Sequence, residues 1–168
     1  NSRIALINAR DNKRIYPLIS AYNLTTEKLE SNLTLLDNLV AADKEKTAAH
    51  GAQLLARNYL VTLLEETHPV YMEHANFAKL ICRTNTARLA HMMLLTPMEK
   101  NVNGWIRQAD TFYTNMFLDT ELIASLEASS ITADKLNANS EKVKAVSTAL
   151  VKYQEAIGEA QASTARRN

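Results

Sequence analysis

Four histidines, His50, His68, His74 and His91, stand among carboxylates in this chain, so metal chemistry is the first reading to test. A di-metal carboxylate bundle needs a glutamate from each of two helices and a Glu-x-x-His from each of two more, because residues three apart share a helix face. Glu65-Glu66-Thr67-His68 supplies one such pair. The residues three before His50, His74 and His91 are Thr47, Tyr71 and Arg88, so no second pair exists. One transition metal held by Glu65, Glu66, His68, Glu73 and His74 around a corner at Pro69 is the better of the two metal readings, and solvated polar residues at a helix end are the plainer account. His91-Met92-Met93 has the residue types of haem ligands. Adjacent residues point in different directions around a helix, however, and Met92 continues an apolar stripe. No metal and no cofactor is expected.

Other chemistries lack their parts. Gly51, Gly104 and Gly158 lie about fifty residues apart, which leaves no glycine-rich phosphate loop. There is no Gly-x-Ser-x-Gly elbow. The single cysteine, Cys82, removes an internal disulfide and a cysteine-based zinc finger, and it shares a stripe with Tyr71, Ala75, Ala78 and Leu89 that marks it as a buried, inert thiol. Nineteen Lys and Arg against eighteen Asp and Glu give a net charge of +1, so no nucleic-acid partner is expected. No apolar run approaches the roughly 18 residues that cross a bilayer, so no membrane insertion is expected. The chain opens on Asn1 rather than Met and shows no signal peptide; a cytoplasmic location is the default, and an exported mature chain would look the same. Asn23-Leu24-Thr25 and Asn32-Leu33-Thr34 fit the glycosylation triplet, a short pattern that recurs by chance.

The one concentration of binding chemistry is aromatic. Trp105, Phe112, Tyr113 and Phe117 are four of the chain's ten aromatic residues and lie close together. They read either as a groove for a partner or ligand, or as a central helix packed on two neighbours.

The elements that position these side chains are helical nearly throughout. Three glycines and three prolines are too few for the turns of a sandwich or barrel. Residues 1–22 form a basic N-terminal segment broken or kinked at Pro17. A helix opens at Leu24-Thr25-Thr26-Glu27-Lys28-Leu29, with Thr25 as cap, Glu27 in the first turn, and Leu24 and Leu29 as a hydrophobic staple. Its stripe fails at Asp43-Lys44-Glu45-Lys46, which predicts a turn or stutter near 43–47. It resumes over 48–67 until Pro69 ends or kinks it. Residues 70–94 carry Tyr71, Ala75, Ala78, Cys82, Asn85, Leu89 and Met92. Thr96-Pro97-Met98-Glu99 predicts a capped start for a helix bearing Met98, Val102, Trp105, Ala109, Phe112 and Met116. Asp119 predicts a cap for a short helix over 120–128. The last helix carries heptad rows Leu136, Val143, Leu150, Ile157 and Asn139, Val146, Tyr153, and runs to the end or breaks at Gly158.

A shift of 107 residues lays Leu24-Thr25-Thr26-Glu27-Lys28-Leu29 on Ile131-Thr132-Ala133-Asp134-Lys135-Leu136, and Asn32 on Asn139. Three further residues then match Arg57-Asn58 with Arg167-Asn168. Duplication and convergence on shared capping physics both account for this. Under duplication with pseudo-twofold packing, the two asparagines should occupy equivalent environments; otherwise both should turn outward. The doubled [LI]-T-x-[DE]-K-L start resembles uncharacterised all-helical bundle proteins of bacteria, over 24–58 and 120–168. That resemblance implies a fold and carries no chemistry or functional residue.

The expected fold class is therefore all-α: an antiparallel helical bundle of four to five main helices with an internal duplication. One domain, 1–168, comprises the segment 1–22, a first repeat unit over 24–117 and a partial second over 119–168. The leading functional expectation is a non-enzymatic module acting through helix–helix contacts, as scaffold, adaptor or oligomerisation domain, with a protein partner or a second copy. The alternative is a small-molecule-binding or sensory bundle using the apolar 98–117 face, its ligand unknown. A metal-binding bundle is third.

Overall fold

Helix length in this chain is set by what fails to stop it. The computed structural model describes residues 2–167, and every regular element among them is a helix: α1 Ser2–Asp11, α2 Tyr16–Ser20, α3 Thr26–Ile81, α4 Thr86–His91, α5 Val102–Met116, α6 Thr120–Glu127 and α7 Ala133–Arg167. The helix α3 runs 56 residues, straight through the expected turn at 43–47 and through Pro69. Asp43-Lys44-Glu45-Lys46 interrupts the apolar stripe, yet its lysines and glutamate form helix readily and no glycine or proline breaks it. Pro69 has no N–H and so leaves the Glu65 carbonyl without its intrahelical donor. That single loss is offset beyond it, where Tyr71, His74, Ala75 and Ala78 are buried. No helix among the described residues is long and apolar enough to cross a membrane.

The start expected at Thr96 also moves. Helix α5 begins at Val102, and Asn101 caps it, its side chain accepting from the Gly104 N–H at 2.7 Å. Thr96 turns its hydroxyl to the Met93 carbonyl at 2.9 Å instead. Gln108, buried on α5, holds the preceding irregular segment in place of backbone pairing. Its Oε1 accepts from the Glu99 N–H at 3.1 Å, and its Nε2 donates to the Met93 carbonyl at 3.1 Å. Other starts follow the expected rule, with Asp119 capping α6 by accepting from the Leu122 N–H at 3.1 Å.

Three helices end without glycine. Asn23, Met93 and Ser130 adopt φ of 64°, 55° and 66° after α2, α4 and α6. At each, the next residue's N–H reaches back five residues: Leu24 to Ile19, Leu94 to Leu89, and Ile131 to Leu126. These are Schellman closures, which satisfy the last carbonyls of a helix. The starts of α3 and α7 then repeat one geometry. Thr25 and Thr132 accept from the N–H groups of Lys28 and Lys135, and those lysines' ammonium groups donate to the carbonyls of Asn23 and Ser130. The resemblance stops one turn later, because Asn139 is buried and Asn32 is exposed. The two asparagines do not share an environment. The match of Asn58 with Asn168 lies outside the described residues.

By contact the chain falls into two compact units. A terminal unit takes the residues up to Ala52 and those from Ala156, and a middle unit takes Gln53–Glu155. The boundaries fall inside α3 and α7, which contribute to both. In the terminal unit α3 and α7 run antiparallel, with Glu45 against Arg166 at 3.5 Å and His50 against Thr164 at 3.5 Å. They do so again in the middle unit, with Glu66 against Lys142 at 3.9 Å. Along α7 the buried row changes. Leu136, Val143 and Val146 are buried, but Leu150 and Ile157 only partly, and burial passes to Ala149, Ala156, Ala160 and Ser163. A straight helix drifts about 20° per heptad, so a strict seven-residue spacing leaves the contact line.

All three glycines sit within helices. A Cβ at Gly51 or Gly158 would meet nothing within 4 Å, whereas one at Gly104 would lie 2.8 Å from Glu99 Cβ. Chemical denaturation should therefore show Gly51→Ala and Gly158→Ala each raising stability by about 0.5–1 kcal/mol, and Gly104→Ala lowering it.

Candidate functional site

The core of the middle unit is aromatic at its centre. Tyr71 meets Trp105 at 6.0 Å and Phe112 at 5.4 Å between ring centroids, edge to face in both cases. This geometry places ring edges against the electron-rich faces of their neighbours. Trp105, Phe112 and Tyr113, set out as one face of a candidate groove, are buried, and Phe117 is half-buried. The first three are covered by the chain itself, as a central helix packed on its neighbours would be.

Two polar pins cross this core. Trp105 Nε1 donates to His68 Nδ1 at 2.9 Å. The second pin has more members. Asn139 Nδ2 on α7 donates to Tyr113 Oη on α5 at 2.7 Å, and Tyr113 Oη lies 2.9 Å from His74 Nδ1 on α3. The same Asn139 Nδ2 lies 3.5 Å from the Thr67 carbonyl, while Asn139 Oδ1 is enclosed without a partner. Tyr113 has one hydroxyl hydrogen. Because it accepts from Asn139, that hydrogen is free for His74 Nδ1, which makes Nδ1 the acceptor and leaves the imidazole proton on Nε2.

Burial sets the protonation states. Desolvation holds His74 below its ordinary value; Glu73 opposes this and Lys135 adds to it. Burial pushes Tyr71 up to about 12, and pushes Tyr113 up as well, so both phenols stay protonated near neutrality. The Cys82 thiol is buried and raised for the same reason. A neutral histidine, the protonated Tyr113 phenol and the Asn139 amide form a directional hydrogen-bond chain rather than a charged site.

The five residues considered as a metal cluster are not brought together. His68 is engaged by Trp105, His74 by Tyr113, and Glu66 by Lys142. Among the described residues no group of three or more His, Cys, Asp or Glu is placed to hold a metal ion. Sequence reasoning missed Gln108 and the role of Thr67. The available signal was a polar residue on a buried row, since Thr67 lies four residues before Tyr71. With this geometry in view, no protein-family model, curated protein or solved structure matches the chain.

The relay makes stability depend on pH. As pH falls through 6.5 the unfolded chain takes up a proton on His74 before the folded chain does, so stability should decline from about pH 7 downward and level off below the folded value. At the other end Tyr71 and Tyr113 ionise first in the unfolded chain, and stability should fall as pH rises above 10. Urea midpoints measured across pH should show both limbs, and His74→Gln should remove the acid one that begins as pH falls through 6.5.

Proposed function

We propose that the chain is a non-enzymatic module that works through helix–helix contacts, and that its partner is a second copy of itself. The observation that carries this reading is the thin core of the terminal unit. Leu29 and Leu33 are its buried large apolar residues, joined by Ala156, Ala160 and Ser163. Ile4, Leu18, Tyr22, Leu35, Leu39 and Val40 remain exposed in the same unit. Small residues transfer little apolar surface from water, so such a unit gains little from its own packing.

The exposed Leu35 and Leu39 continue a row on α3 whose later members are half-buried. Leu35, Leu39, Ala42, Lys46 and Ala49 recur at four- and three-residue steps, the spacing of a helix–helix seam. Residues Ala49 and Ala52 on this stretch border Gly158, Ala162 and Arg166 of α7. Leu35 and Leu39 lie before that shared stretch and are 62% and 49% exposed. A seam of this kind is completed by another helix, and two-fold association of identical chains is the commonest way to supply one. The repeated geometry at the starts of α3 and α7 supports reading the chain as an antiparallel bundle carrying an internal duplication. The engagement of the middle unit's buried polar groups with one another supports a structural rather than a catalytic role for them.

Light scattering coupled to size exclusion should return twice the chain mass. The double substitution Leu35→Asp with Leu39→Asp should return the single-chain mass with helix content unchanged by circular dichroism. A monomeric wild-type protein, or a dimer indifferent to the double substitution, would contradict the reading.

A further inference from the structure

The relay through Tyr113 ends at a groove, and that groove has the chemistry of a binding site. His74 and Asn139, each 2% exposed, form part of its wall in the middle unit, and its volume is about 290 Å³. This is the small end of the range for ligand sites, about 300–1,000 Å³. Val70, Ile131 and Ala138 supply an apolar side, and Lys135, Lys142 and Glu73 supply charge.

The hydrogen-bond chain has a direction. Asn139 Nδ2 donates to Tyr113, Tyr113 donates to His74 Nδ1, and the proton left on Nε2 makes that nitrogen a donor. His74 Nε2 has no partner among the described residues. Asn139 Oδ1 is the enclosed side-chain atom without one, so Nε2, which is not enclosed, is the atom through which the chain reaches the groove. With the opposite orientation of the Asn139 amide, Nδ2 would be removed from the Thr67 carbonyl and left buried without an acceptor, so the orientation described is the favoured one.

The charges select the ligand. Lys135 forms no ion pair with a carboxylate among the described residues, since its ammonium donates to the Ser130 carbonyl. Lys142 is only loosely paired, 3.9 Å from Glu66. The lining holds two ammonium groups and one carboxylate, Glu73, with Glu66 outside it beside Lys142, so the groove carries at most one positive charge, which suits a monoanion and disfavours a phosphate dianion. The apolar side suits a short hydrocarbon body. We propose that this groove binds a small organic monocarboxylate, its oxygens taken by His74 Nε2–H and the ammonium groups of Lys135 and Lys142, and its body lying on Val70, Ile131 and Ala138. This site is independent of the association proposed for the terminal unit.

The test is a nuclear magnetic resonance titration of the full chain with sodium butyrate, against sodium chloride and inorganic phosphate at equal ionic strength. The expected result is saturable shifts of the His74 ring and of amides over 70–74 and 135–142 with butyrate, and none with the other two salts. His74→Gln, and separately Lys135→Gln with Lys142→Gln, should weaken butyrate binding about tenfold, the loss expected for a charge-assisted donor. If His74→Gln fails to fold, the lysine pair, which lies on the exposed rim, and the wild-type ring signals decide the matter. Long-range proton–nitrogen spectra of the wild type should show the neutral ring protonated at Nε2. The proposal is overturned by an Nδ1-protonated ring, by absence of saturation, by phosphate binding as well as butyrate, or by binding that the lysine substitutions leave unchanged.

Discussion

The hydroxyl of Tyr113 is the point at which three helices of the middle unit must agree. Apolar side chains on α3, α5 and α7 can be exchanged or slid past one another at modest cost, because dispersion and hydrophobic burial have little direction. A buried hydroxyl has direction and a fixed capacity. It accepts from Asn139, donates to His74, and pairs helices 39 and 26 residues apart in the chain. A change of register on any of the three helices leaves a buried donor or acceptor unpaired, at roughly 1–3 kcal/mol for each orphaned group. The Trp105–His68 bond lies one turn and a half earlier on α3, with the buried indole N–H donating to an imidazole at the surface. The two bonds stand on either side of Pro69, where the helix lacks one backbone hydrogen bond.

The terminal unit is stabilised by different means. Its contact between α3 and α7 is built of alanine, glycine and serine, with ion pairs and hydroxyls such as Arg166–Glu45 and Thr164–His50 at its margin. Small residues let backbones approach closely but remove little apolar surface from water. A unit made this way with leucines left outside is suited to being completed by another surface. The middle unit, with its aromatic centre and buried polar bonds, is suited to holding a fixed shape. The association and the ligand binding proposed above fall on two different parts of one chain and can be tested separately.

Much of this was legible in the residues. Helical periodicity, the Thr25 and Asp119 caps, and the burial of Tyr71, Ala75, Ala78, Cys82, Leu89 and Met92 follow from spacing alone; Asn85, read on the same stripe, is instead exposed and caps α4 where the helix is interrupted between α3 and α4. The errors have physical causes. Of the turn or stutter expected at 43–47, the turn does not form, because burial was lost there although helix propensity was not. Of the stop or kink expected at Pro69, the stop does not occur, because the helix is held by packing beyond it. Thr96-Pro97 has the form of a helix start, but Asn101 takes the Gly104 N–H at the start of α5, and Gln108 ties down what lies between. The aromatic cluster could not be assigned to groove or core from one helix, since that depends on what other helices cover. Least visible was the inequality of Asn32 and Asn139. Identical local geometry at two helix starts says nothing about what packs against the next turns, and only Asn139 has a Tyr113 to meet.

The most direct test of the account is a double-mutant cycle between Asn139 and Tyr113, using Asn139→Leu, Tyr113→Phe and the two together, with unfolding free energies from urea at neutral pH. If the hydroxyl is the shared partner, each single substitution strands the other group, and the double variant recovers much of that loss. The account predicts that the double variant is less destabilised than the sum of the singles by about 1–2 kcal/mol. Additivity to within about 0.3 kcal/mol would show that the two side chains contribute independently, and would contradict the claim that this buried bond sets how the three helices meet.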